Sequence, residues 1–206
     1  MRLKIQKIQE SVTKKLEAKA NHQKRWSNHI SIYELFASTK GALNEEQNDE
    51  RAAVIAKIDS DQFTDDAVEF KNSLSQSRHR EMLTDYSVSE LSQMRLFKVN
   101  GYNIGYALKK MENGAYDIVA VHNNEPDVKG VGEPLMASAI KNGGCFLDHY
   151  DTPALDNLYS KMGFTEINRD EYNGDYDEGG VLKDKHGAVA VVYRVHNTCA
   201  ARFPPQ

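Results

Sequence analysis

The chain has 206 residues, of which 40 % are hydrophobic and 27 % charged, enough for one good-sized domain or a domain with an appendage. A mean hydropathy of −0.64 and a longest apolar run of Ala188-Val-Ala-Val-Val-Tyr193 exclude a membrane helix, which needs roughly 18 apolar residues. The net charge of −4 is unevenly spread: residues 1–25 carry eight basic and two acidic side chains, a balance of +6, so the remaining 181 residues sum to −10. This is a basic arm on an acidic body, which argues against nucleic-acid binding by the body. The N-terminus MRLKIQKIQE has no apolar core of a secretory signal. Cys145 and Cys199 are expected to form no disulfide or metal framework, and a cytoplasmic setting fits.

Leu3, Ile5, Ile8, Val12 and Leu16 recur mainly at steps of three and four, which predicts an amphipathic helix. No glycine or proline interrupts residues 1–40, so one or two helices are expected up to about Ser38. We expect residues 1–45 to form a basic helical arm, with residues 46–206 as the main domain. The arm has three readings: a helix packed on the body, a coiled-coil segment for a homo-oligomer or protein partner, or an electrostatic contact with nucleic acid or an acidic partner. No nucleic-acid motif supports the last. Helices are predicted over 48–58 and 62–83 from Val54, Ile55 and Ile58 and from Phe63, Val68, Phe70 and Leu74.

The period then changes. Strands are predicted at Leu96–Val99, Ile104–Leu108 and Tyr116–Val121, joined by Asn100-Gly101 and Asn113-Gly114. An Asn-Gly pair between apolar runs is a hairpin signal, so these strands form an antiparallel meander. A polar loop from His122 leads to Gly130-Val-Gly132 and a helix through Ile140, with Gly143-Gly144 at its end. Cys145–Asp148 reads as a strand, Leu155–Met162 as a helix stopped by Gly163, and Phe164–Ile167 and Ala188–Val195 as closing strands. The order defines an α+β fold whose sheet turns from antiparallel to parallel.

Two segments carry chemistry. Gly130-Val131-Gly132 runs into a helix N-terminus, where backbone N–H groups and the helix dipole suit a phosphate. Leu158-Tyr-Ser-Lys-Met-Gly-Phe164 ends the second helix. Taken in this order, the pair resembles the GNAT superfamily of N-acetyltransferases, with its Arg/Gln-x-x-Gly-x-Gly/Ala turn and a later helix ending in Tyr-x-x-x-Gly-Phe. The resemblance covers about 95–195, and the chain is also similar to small GNAT-like proteins encoded by bacteriophages.

The resemblance implies a mixed sheet, flanked by helices, that splays to admit acetyl-CoA as acyl donor for an amine on a small molecule, a protein lysine or a protein N-terminus. Val128, Lys129, Gly130, Val131 and Gly132 would face the pyrophosphate, and Val119, Ala120 and Val121 would pair with the pantetheine arm. Tyr159 would be the general acid for the departing thiolate, a role a phenol with a pKa of about 10 can fill. His122 is the preferred general base because imidazole titrates near neutrality, with Glu125 and Asp148 as alternatives. The chain departs from the pattern at Asp127, which stands where the family has Arg or Gln. A carboxylate there repels a pyrophosphate by about 1 kcal/mol or more, which Lys129 offsets in part. The alternative is a catalytically inactive GNAT-fold protein that binds or assembles through its helical N-terminal segment. No metal is expected: Cys145, Asp148, His149 and Asp151 lie close in sequence, but strand alternation divides them between two faces. The acidic stretch Glu166–Glu178 is a candidate for attracting a cationic acceptor.

Overall fold

The computed structural model describes residues 45–60, 63–77, 79–175 and 177–202, all within the compact unit Glu45–Gln206. The helices expected over residues 1–40, and the basic arm they would form, lie outside the described residues. Helix α1 (Glu45–Asp59) covers the helix expected at 48–58, and Val54 and Ile58, one turn apart, are both fully buried.

The single helix expected over 62–83 is instead broken into pieces. Phe63–Thr64 forms a two-residue strand β1, and α2 (Ala67–Ser75) starts where the Asp66 carboxylate accepts the Glu69 N–H at 2.8 Å. That cap satisfies one of the orphan donors of the first turn and fixes the helix start three residues beyond β1. Past Ser75, among the described residues of that stretch, only a 3₁₀ turn, Arg80–Met82, remains. A short helix α3 (Val88–Leu91) follows, closed by a reciprocal cap between Ser87 and Glu90.

The meander is as expected: β2 (Arg95–Lys98), β3 (Ile104–Lys110) and β4 (Tyr116–Asn123) pair antiparallel. Gly101 and Gly114 both have φ +82, the left-handed geometry that makes Asn-Gly a hairpin turn. From β4 the chain crosses through α4 (Gly132–Lys141) to β5 (Gly144–Tyr150), which lies parallel to β4. Helix α5 (Pro153–Lys161) precedes β6 (Phe164–Asp170), and a connection containing α6 (Val181–His186) leads to β7 (Val191–His196) and α7 (Asn197–Ala200). The sheet order is β1-β2-β3-β4-β5-β7-β6, antiparallel at every neighbour except β4 and β5. This mixed sheet with helices about it is the fold class expected.

Alternation along the strands divides the core between the two faces of the sheet. Phe97, Tyr106, Leu108 and Ile118 pack with Val54 and Ile58 of α1 and with Leu135, Met136 and Ala139 of α4. Leu96, Ala107 and Val119 pack with Phe70 and Leu74 of α2 and Leu91 of α3.

The cysteine expectation is corrected. Cys145 near the start of β5 and Cys199 in α7 form a disulfide, with Cα atoms 5.6 Å apart. The register Phe146↔Val195 sets β5 beside β7, so two residues 54 positions apart in sequence become neighbours. The pair therefore lends no support to a reducing compartment. Among the described residues no helix is long and apolar enough to cross a membrane.

Candidate active site

The site begins with an irregularity in β4. Gly105 pairs with His122, yet Ala107 pairs with Val119, so β4 spends three steps where β3 spends two. The extra residue is a β-bulge, and Ala120 within it has φ +54, the sole positive φ at a non-glycine among the described residues. Left-handed backbone at alanine is disfavoured by about 1–2 kcal/mol, so something must hold it. His122 does: its Nδ1 is 2.9 Å from the Ala120 carbonyl oxygen, which can only accept, so Nδ1 carries the proton. In the neutral ring Nε2 is then an acceptor, and the Ser73 hydroxyl lies 2.9 Å from it. Burial pushes the His122 pKa down and keeps the ring neutral.

The bulge coincides with a parting of the sheet. β4 and β5 pair only at Tyr116↔Gly144 and Asp117↔Phe146; beyond that point they diverge. A cleft of about 420 Å³ opens between them, walled by Ile118–Asn123 of β4, Asp148–Tyr150 of β5, Tyr159 of α5 and the segment around Met82–Tyr86. Val119, Ala120 and Val121 all line it, as does His122. With both nitrogens of its ring engaged inside the protein, His122 offers the cleft no free lone pair.

Tyr159 is 8 % exposed and packs against His149 (ring centroids 4.9 Å) and Phe164 (6.2 Å). Burial, with a smaller contribution from the Asp148 charge, pushes its phenol up to about 12, so it stays protonated at neutral pH. The side chains behind it are hydrogen-bonded to one another. Arg194, 5 % exposed, donates from Nε to His149 Nε2 (2.9 Å), from Nη1 to Ser160 Oγ and the Phe164 carbonyl (3.1 and 3.2 Å), and from Nη2 to Asp156. His149 in turn donates Nδ1–H to the Tyr150 carbonyl at 2.8 Å, and burial lowers its pKa.

One carboxylate, Asp148, acts on the phenol, and it acts in turn on a second, Asp117. Asp148 meets water inside the cleft but is hemmed in by protein, which raises its pKa. Asp117, on the neighbouring strand, is pushed up to about 7 by burial and then by repulsion from Asp148. Asp117 is absent from the candidates read in sequence. The signal for it was the β4–β5 register, which motif spacing does not carry. Of the alternatives to His122, Asp148 walls the cleft, whereas Glu125 Oε1 accepts the Asn103 N–H at 2.6 Å and belongs to a loop.

The glycine turn leads into α4. Gly130 has φ +70, and α4 begins two residues later. Val128 and Val131 are 1 % exposed, so their side chains belong to the core and the outer surface of the turn is largely backbone with the exposed Lys129 and Asp127. Asn123, a cleft wall, ties the turn by donating to the Val128 carbonyl at 2.7 Å. Arg51 of α1 lies against Gly130, with Nη2 3.4 Å from its carbonyl oxygen. Sequence reading missed this cation, because 79 residues separate the two.

The acidic stretch is partly committed elsewhere. Strand β6 continues through Asp170, Glu166 pairs with Arg169 at 2.9 Å, and Asp177 accepts the N–H groups of Leu182 and Lys183 at the start of α6.

No protein-family model matches the chain, and no curated protein matches it. Among solved structures, a Bacillus anthracis protein assigned as a streptothricin acetyltransferase, in complex with acetyl coenzyme A, is similar at 22 % identity and a TM-score of 0.30. The match covers 45 % of this chain and 54 % of that one, so the chain spans about half the length of the protein it resembles.

Proposed function

We propose that the chain is a GNAT-like N-acyltransferase that moves an acetyl group from acetyl-CoA to an amine. The observation that carries this reading is the cleft itself: a bulged β4 parted from β5, with a protonated phenol and a carboxylate of raised pKa on its walls. Beyond Asp117 the edge of β4 that faces β5 has no strand partner among the described residues, and an extended amide-bearing arm can pair with such an edge. Acetyl-CoA would supply the activated thioester. Val119, Ala120 and Val121 would hold its arm, and the backbone of Val128–Gly132 its pyrophosphate, with Lys129 and Arg51 offsetting Asp127.

In this reading Asp148 accepts the proton of the incoming amine, as a carboxylate whose pKa burial has moved toward neutrality. Tyr159 gives its Oη proton to the departing thiolate. His122 acts on neither reactant and is a positioning residue that fixes the bulge. Asp148 on the cleft wall favours a cationic acceptor, either a small amine or a protein amine.

The test is thermal stability of the full chain with acetyl-CoA. Ligand at about 100 times its Kd stabilises by about 2.7 kcal/mol, which raises Tm by about 5–10 °C at this chain length. No shift at millimolar acetyl-CoA removes the enzyme reading. It would favour a second one, a non-catalytic GNAT-fold protein that binds or assembles through residues 1–45, for which the exposed Asp127 beside the turn speaks.

A further inference from the structure

The rim of the cleft carries metal-ligating side chains that the proposed chemistry does not use. His79 precedes the 3₁₀ turn Arg80–Met82, Glu81 lies within it, and His186 ends α6. One ligand atom from each lies within 4.8 Å of the other two, and both histidines are walls of the cleft. His186 Nε2 is 3.2 Å from Glu81 Oε1. Two donors each about 2.05 Å from a tetrahedral zinc stand about 3.3 Å apart, so this pair already has the edge length of a coordination tetrahedron.

The carboxylate is set up for such a role. Its second oxygen, Oε2, is 3.2 Å from Lys185 Nζ. Oε1 can therefore ligate while Oε2 keeps its outer partner, the arrangement that orients metal-bound carboxylates. The Glu81 side chain is 10 % exposed and that of His186 26 %, so folding has already removed much of their water.

We propose that His79, Glu81 and His186 bind a divalent cation of the zinc class at the rim of the cleft. Two imidazoles and one carboxylate suit zinc, whereas magnesium and calcium take oxygen ligands. The cation joins the 79–82 turn to α6 across 105 residues of sequence. Three protein ligands leave a fourth position for water or for a donor atom of a molecule in the cleft. The cluster weighed in the sequence, Cys145 to Asp151, is a different one; this trio was hidden by its separation. The proposal does not depend on acetyl-CoA.

The test uses the full chain, stripped with a chelator, dialysed and studied without acetyl-CoA, so that failure here leaves the acyltransferase reading standing. Calorimetric titration with Zn²⁺ should give one equivalent bound with a Kd of about 1 µM or tighter. Co²⁺ should give the visible absorption of a four-coordinate site. His79→Gln, at an exposed residue, and Glu81→Gln should each weaken Zn²⁺ binding by about 100-fold or more. The metal-free His79→Gln protein should keep the wild-type Tm, which separates a lost ligand from a lost fold. Absence of stoichiometric binding, or affinity unchanged in both variants, would overturn the proposal. The contacts would then be only an ion pair between Glu81 and Lys185 and a hydrogen bond between Glu81 and His186.

Discussion

Arg194 offers a test of whether the phenol is held from behind. Arg194→Met keeps the length and apolar stem of the side chain and removes every donor. His149 Nε2 then becomes a buried acceptor without its guanidinium partner, since Nδ1–H is committed to the Tyr150 carbonyl. The Phe164 carbonyl loses a donor as well. Each buried acceptor left unsatisfied costs about 1–3 kcal/mol. Asp156 adds little, because its side chain is 45 % exposed and water replaces the lost partner. The expected loss is about 2–6 kcal/mol, which spans the range seen when one partner of a buried pair is removed. At this chain length that lowers Tm by about 4–24 °C. Urea unfolding followed by circular dichroism measures the first quantity and calorimetry the second. A loss below about 1 kcal/mol would refute the reasoning, because neither acceptor would then depend on Arg194.

Tyr159→Phe should slow acetyl transfer by about 100-fold while leaving acetyl-CoA affinity nearly unchanged; a steady-state rate equal to wild type would remove the phenol from proton transfer. Asp117 is held protonated up to about 7 in the folded state, against about 3.9 when unfolded. The folded state therefore binds more protons between those values, and this group makes stability fall as pH rises from about 4 to about 7. Asp117→Asn should remove that contribution and stabilise the protein by about 1 kcal/mol or more at about pH 8; parallel urea-midpoint profiles for variant and wild type would contradict it. The Cys145–Cys199 bond closes a segment of 54 residues, for which chain entropy gives about 4 kcal/mol. Thiol titration in denaturant without reductant should find neither cysteine free, and reductant should lower Tm. Two titratable thiols would show the pair to be unbonded.

The sequence states the meander most clearly. Asn100-Gly101 and Asn113-Gly114 demand left-handed turns, and the apolar runs beside them alternate as strands do, so β2, β3 and β4 follow from neighbouring residues alone. Helices α4 and α5 are legible for the same reason, through their apolar period and the glycines beyond their ends. The expected helix over 62–83 failed because its apolar spacing suits a helix throughout, and the Asp66 cap and the pairing of Phe63 with Phe97 decide otherwise.

Sequence order gave the Gly130–Gly132 turn ahead of α4 and the β4 residues and Tyr159 that line the cleft, because each sits in a local pattern of turn, strand or helix end. It did not locate the bulge at Ala120, which exists only as three steps of one strand against two of another. Nor did it locate Ser73 on His122, 49 residues away, Arg51 on Gly130, Arg194 behind His149, or the bond between Cys145 and Cys199. Local backbone preferences are set within a few residues and can be read from them. Register, burial and the meeting of distant side chains are set by how whole elements pack, and that packing makes His122 a clamp on the strand and Asp117 a carboxyl that titrates near neutrality.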